Sequence, residues 1–335
     1  RMNISSSVNI VGTLSVTGNV AFGSSVASGS QSRAFGYQST ASGSSSFAMG
    51  EESKASGVNS TTMGKSTSAS GNNSTAMGSY SKASGVNSIA IGSQTSATGS
   101  DSFAVGYRAT ASNLHSVAIG YRATASGQFS HALGYHSSAT GSHSRSLGYY
   151  SLASNSYSTA MGYYSTASGS SSTAMGYHSK ANEDYSTAMG YHSVANEKYS
   201  VAIGSNTLAC GMYSLALGNN TIARSNGETT IGIYNTDYDV TSNRDYISSD
   251  RLFVIGNGQS ASSRSDALVM LKNADTTLSG NMNINKGLNV LGRTNLTGNL
   301  SIGGASILGS TLSVSGASVI NSTLSVADNC YVGDN

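Results

Sequence analysis

The chain has 335 residues with 40 Gly, no Pro, no Trp and only 10% charged residues, and Ser, Gly, Ala and Thr dominate, so any core must be thin. The formal net charge of +2 comes without a basic cluster, which argues against nucleic acid as a partner. No run of about eighteen apolar residues is present, so direct membrane insertion through a helix is not expected.

The chain opens at Arg1 without a signal-peptide pattern, which points to a processed chain, a fragment or an unusual export route. Residues 1–28 carry a twelve-residue spacing in Met2-Asn3-Ile4 and Leu14-Ser15-Val16, with Gly18 and Phe22 at matching offsets. Alternating apolar residues with Gly and Asn turns predict short strands, and the segment is read as an N-terminal β shaft.

From residue 29 the grammar changes. Every seventh position from Gly29 to Gly218 is Gly except Asn113, Asn155, Glu183 and Glu197. Ala recurs at the same interval from Ala34 to Ala223, broken only by Thr62 and Ser146, and Ser recurs two residues before it. The glycine row predicts a backbone turn at positive φ, with Asn182 and Asn196 taking that conformation beside the two Glu. The unit S-x-A-x-G-x-x alternates between two versions, so the true period is fourteen. In one version the residue before Gly is large and apolar: Phe35, Met49, Met63, Met77, Ile91, Val105, Ile119, Leu133, Leu147, Met161, Met175, Met189, Ile203 and Leu217. Ile231-Gly232 falls on the same grid one step further.

A Gly/Ser-rich linker has no reason to hold such a register, and a helix would lose about 1 kcal/mol at each Gly relative to Ala. The expected fold is all-β: a parallel β-roll or β-solenoid of fourteen-residue coils over residues 29–227, with two short strands per coil and coils about 4.8 Å apart. Ala rows bury little surface against roughly 1–2 kcal/mol of backbone entropy per ordered residue. The row from Met49 to Leu217 would then lie exposed on a single chain. Three identical chains about a common axis would cover it, giving an elongated homotrimer with that row as its core.

The phrase NSIAIGSQTSATGSDSFAVGYRATASNLHSVAIG, residues 87–120, resembles the head repeats of trimeric autotransporter adhesins, the YadA-like or haemagglutinin-repeat family. The resemblance covers about residues 29–232 through the repeated SxAxG spacing. It implies a left-handed parallel β-roll in each chain, three rolls side by side, and an adhesin on a cell surface. The sequence departs from that family in having no heptad stalk and no C-terminal set of amphipathic membrane strands, so self-anchoring through a barrel is not expected.

Residues 228–281 concentrate charge, including Asp237, Asp239, Arg244, Asp245, Asp250, Arg251, Arg264 and Asp266. The segment is read as a connector where the coil cross-section changes and chains exchange salt bridges. Asp237, Asp239 and Asp245 are a calcium alternative, but their spacing is not that of an EF-hand loop and a solvated loop is the preferred reading. Residues 282–335 return to the twelve-residue spacing in Leu288-Asn289-Val290, Leu300-Ser301-Ile302, Leu312-Ser313-Val314 and Leu324-Ser325-Val326, a C-terminal β shaft. TLSVTGNV, residues 13–20, resembles shaft repeats in tail fibres of phages and other viral fibres, a short and low-complexity match.

The sequence offers little chemistry. His136, His178 and His192 share one grid position, but Arg108, Arg122, Tyr150 and Tyr164 occupy it too, which suits an outer solvated row better than metal ligands. There is no phosphate loop, nucleophile elbow or metalloprotease motif, so neither an enzyme nor a bound cofactor is expected. Cys210 and Cys330 are too far apart on a stacked solenoid to bridge, and free thiols are expected. Tyr107, Tyr121, Tyr135, Tyr149, Tyr163, Tyr177 and Tyr191 form one row, with Phe129, Tyr157, Tyr185, Tyr199 and Tyr213 in another. Each tyrosine is more readily a stiffening rung than a contact, yet the row is the candidate binding ladder for a glycan or protein receptor. Two functions stay open: an extracellular trimeric adhesin on a cell or virion surface, and a purely architectural fibre segment without a receptor site.

Overall fold

A computed structural model describes residues 16–285, 288–291 and 294–295. The chain divides into two units, residues 1–282 and 283–335. All regular structure among the described residues is β. Most of the twelve-residue repeats at either end, and Cys330, lie outside the described residues.

One coil explains the first unit. Val117–Tyr121 is a long strand, the chain turns through Arg122, Thr124–Ala125 is a short strand, and a second turn through Phe129 returns it to the next long strand. Val117 pairs with His131, Ala118 with Ala132 and Ile119 with Leu133, all parallel and all fourteen residues on. Thr124 pairs with Ser138 in the same way. Repeated along the chain, this builds two facing parallel sheets, and the short strands alone form a sheet of fifteen. The fold is a parallel β-solenoid with the predicted period.

The interior is as thin as the composition requires. Ala118 from the long strand and Ala125 from the short strand are fully buried, as are their counterparts from Ala34 to Ala223. Serine fills the corners. Ser130 is fully buried and donates its hydroxyl to the Gly127 carbonyl at 2.6 Å; Ser165 donates to the Met161 and Gly176 carbonyls at 3.0 and 2.8 Å. A buried hydroxyl must be bonded to avoid its desolvation cost, and here it bonds the turn that carries it. Ala109 and Ala123 hold the same corner, fully buried, without a hydroxyl, so serine is favoured there but not required.

The glycine row has the predicted positive φ in the long strands only. Glycines of the short-strand side, such as Gly127, are not at positive φ: the space is simply taken, since a Cβ there would stand 1.9 Å from the Gly141 carbonyl oxygen. Glycines of the long strands, such as Gly120, meet both constraints, with φ +133 and a would-be Cβ 2.1 Å from the Gly134 oxygen. The left-handed residues lie two positions after each member of this row and are mostly large side chains: Arg122 at φ 53, Phe129 at φ 56, Tyr185 at φ 58 and Tyr199 at φ 60. Asn182 and Asn196 do not adopt this conformation, contrary to the sequence expectation. Along the stack the left-handed residues donate their N–H to the preceding coil, as Arg122 does to Tyr107 at 2.7 Å and Phe129 to Leu114 at 2.9 Å, so the ladder of coils holds the strain in place. Where the row carries Asn113, Asn155 or Glu197 instead of Gly, the backbone N–H turns from the next coil to a serine hydroxyl, Ser116 at 3.2 Å, Ser158 at 3.3 Å and Ser200 at 3.2 Å.

The stack starts and ends off the grid. Val20–Phe22 already pairs parallel with Arg33–Phe35, so residues that the twelve-residue spacing groups with 1–28 form a coil edge. At the other end Thr229–Ile233 pairs with Leu215–Asn219, and Thr229 then pairs with Phe253 after an excursion through residues 234–250. Arg251–Asn257 turns the sheet antiparallel against Asp266–Leu271, which pairs with Thr276–Leu278. The charged segment is therefore the closing cap of this unit. Within the chain its charges pair: Arg244 with Glu197 at 2.9 Å, Arg251 with Asp266 at 3.3 Å, and Arg224 with Asp237.

Candidate functional surface

Strand alternation buries Ala118 and turns Val117 and Ile119 outward. The whole predicted row follows: none of Met49, Met63, Met77, Ile91, Val105, Ile119, Leu133, Leu147, Met161, Met175, Met189, Ile203 and Leu217 is buried in the single chain. Met49 is 38% exposed, Ile91 36% and Leu217 42%. The outer face of the long-strand sheet thus carries a continuous apolar stripe along the stack. Parallel sheets are almost always covered on both faces, and a stripe of this kind marks a contact surface.

At the end of the same strands the tyrosines form the ladder the spacing predicts. Tyr107, Tyr121, Tyr135, Tyr149, Tyr163, Tyr177 and Tyr191 stack in unbroken succession, with centroids 4.8–5.1 Å apart and planes within 15° of parallel. Each is a little over one-third exposed, rising to 50% at Tyr191. The rings cover each other's faces, so the surface they present is one of ring edges and hydroxyls. Partial desolvation, and then the neighbouring tyrosines, push the hydroxyls of Tyr149 and Tyr164 above the usual phenol range.

The neighbouring left-handed positions make a second column: His136 on Tyr150 at 4.6 Å, Tyr150 on Tyr164 at 4.9 Å, Tyr164 on His178 at 5.0 Å and His178 on His192 at 4.9 Å. Tyr149 and Tyr150 meet edge to face at 4.8 Å, which locks the two columns together. Arg108 and Arg122 continue the column below, each over the tyrosine beside it, at 5.8 and 5.7 Å. These histidines stack and do not converge, and among the described residues no three His, Cys, Asp or Glu are placed to hold a metal ion.

The opposite turn carries a third column. His115, Phe129, His143 and Tyr157 stack at 4.8–4.9 Å, and Tyr185, Tyr199 and Tyr213 stack at 4.9–5.0 Å. His115 and His143 escaped the sequence reading, although their fourteen-residue spacing from Phe129 and Tyr157 is the signal that places them. Further toward the N-terminus the same column is polar: Asn59 donates to Asn73 at 3.1 Å, Asn73 to Asn87 at 3.0 Å and Asn87 to Asp101 at 2.8 Å.

The cap shows no carboxylate cluster. Asp237 faces the Arg224 guanidinium, which holds its carboxyl below the usual range, and Asp245 accepts a hydrogen bond from the Ser242 hydroxyl at 2.8 Å. Cys210 is a free thiol, part-buried, and desolvation pushes it up.

A family model described as the YadA head domain repeat matches the chain in twelve segments between residue 23 and residue 221, most of them overlapping. The chain belongs to the YadA head family. The matched YadA head segments span nearly the whole coil stack described above, including the apolar stripe and all three aromatic columns. Comparison with curated proteins returns no match. No helix among the described residues is long and apolar enough to cross a membrane.

Proposed function

We propose that this YadA head solenoid is the attachment region of a homotrimeric surface fibre. Three chains pack side by side, with the left-handed winding that the family resemblance implies, and cover the stripe from Met49 to Leu217. The single observation that carries the reading is that stripe: a parallel sheet with a continuous uncovered apolar face has no stable place in water without a partner, and a partner with the same coil spacing meets it in register. Residues 1–28 and 282–335 extend the fibre as shafts, and the assembly stands outside the cell or on a virion. Its role is adhesive and mechanical, without a bound cofactor.

Attachment to a glycan or protein on a host or neighbouring surface is assigned to the aromatic columns, with the ladder from Tyr107 to Tyr191 as the first candidate. Hydroxyls repeated at coil spacing, and repeated again on three chains, convert weak contacts into avidity. The face-to-face stacking also favours a second reading, in which the ladder only stiffens the rod. Glycan-array and cell-binding measurements on the full chain decide between them. Replacing the seven tyrosines with serine abolishes binding if the ladder is the contact; unchanged binding by a correctly folded variant overturns that assignment.

A further inference from the structure

The third aromatic column lacks one rung. His143 stacks on Tyr157 at 4.8 Å, Tyr185 stacks on Tyr199 at 5.0 Å, and the position between them is Ser171. All three residues are left-handed, with φ of 57, 55 and 58 for Tyr157, Ser171 and Tyr185, so they leave the backbone alike. Two coil spacings separate the flanking rings by about 10 Å. That is the room one further ring would occupy, and among the described residues no ring stacks there. Tyr157 and Tyr185 are accordingly among the more exposed rings, 61% and 54%, against 39% for Phe129, which has a neighbour on both faces.

We propose that this gap is a sugar-binding slot that takes a single pyranose ring between Tyr157 and Tyr185. Here, unlike in the unbroken ladders, aromatic faces are free. Their negative π surfaces attract the polarised C–H groups of a sugar face. The floor is polar: the exposed Ser171 hydroxyl lies at the base, and beside it Asp184 accepts the Ser170 N–H at 2.9 Å and pairs with Lys198 at 3.0 Å. A planar aromatic guest would leave these groups unused, whereas a sugar held by its two faces turns its equatorial hydroxyls toward them. The rim thus supplies both an acceptor and a donor.

A slot closed on both sides also sets the configuration. In a gluco-configured β-pyranose every ring substituent is equatorial, so both faces present only axial C–H. A galacto-configured ring carries an axial hydroxyl on one face and would bury it unpaired against a tyrosine, which costs affinity. The slot therefore selects gluco over galacto rings, and a trimer carries three copies of it.

This inference rests on the attachment role proposed above and is separable from it. The full chain is titrated with a soluble β-1,4-linked glucose oligomer and with its galactose counterpart, and binding is followed by ligand-observed NMR. The expected result is saturable binding of the glucose oligomer, weaker by about tenfold or more for the galactose oligomer. Ser171→Tyr supplies the missing rung from within: it should raise the thermal midpoint and abolish the sugar signal. Equal binding of the two oligomers, no binding of either, or undiminished binding by Ser171→Tyr overturns the slot. If Ser171→Tyr loses the oligomer yet still adheres to cells through the Tyr107–Tyr191 ladder, slot and ladder both stand as separate contacts. Loss of cell adhesion by wild type and variant alike defeats the attachment role instead.

Discussion

At the scale of single residues, steric contact between coils decides what each position tolerates. Gly127 and Gly120 look equivalent in the repeat, but the first is limited by space alone and the second by space and by φ +133 together. Gly127→Ala is expected to cost about 1–3 kcal/mol, the usual range for overpacking, because Asn113 and Glu197 show that the chain can shift to admit a side chain there. Gly120→Ala should cost more, since the backbone strain of roughly 1–3 kcal/mol is added. Urea midpoints of the two variants check this; a Gly127→Ala variant less stable than Gly120→Ala contradicts it. The glycine spacing was legible in the sequence, but positive φ, the cause read from it, holds only for the long-strand half. A repeated interval says that a Cβ is unwelcome, without saying whether φ or a carbonyl oxygen one coil away excludes it. The left-handed positions were hidden because they mix residues that favour that conformation, such as Asn73 and His136, with Tyr and Arg, which do not.

At the scale of elements, the coil repeats itself until the cap interrupts it. The fourteen-residue period made the paired strands, the Ala and Ser interior and the outward Met/Ile/Leu row readable in advance, since one coil's pattern is every coil's pattern. The cap has no period, so charge density was all the sequence offered, and a loop linking chains was the natural reading. The structure buries a carboxylate in it, which charge density does not reveal. Glu228 is fully buried, accepts the backbone N–H groups of Arg224 and Ser225 at 2.7 and 2.9 Å and the Tyr238 hydroxyl at 3.2 Å, and desolvation raises its pKa. Because the folded-state pKa lies above the unfolded one, the unfolded chain gives up its proton first as pH rises. Folding stability therefore declines from the ordinary carboxylate range up to the raised folded-state value, and is flat beyond it. Glu228→Gln keeps an oxygen acceptor for the same donors and removes the charge. It should match wild type at low pH, exceed it at neutral pH, and flatten the pH dependence of the thermal midpoint; a variant destabilised equally at all pH values would show that the carboxylate is not a strained charge.

At the scale of the molecule, a chain this poor in large apolar side chains places most of those it has on the outside. Alanine fills the inside of every coil, while methionine, isoleucine and leucine line the outer face of the long-strand sheet, where a monomer gains nothing from them. Composition already implied that one chain would not suffice, and the period implied where the seam would run. The partner's identity as two further copies is a claim about assembly, and mass tests it directly. Sedimentation equilibrium of the full chain, 33.9 kDa as a monomer, should return three times that mass. Lysine at Ile119, Leu133 and Leu147 together should collapse it to monomer and lower the thermal midpoint. A well-folded wild-type particle at the monomer mass would contradict the account.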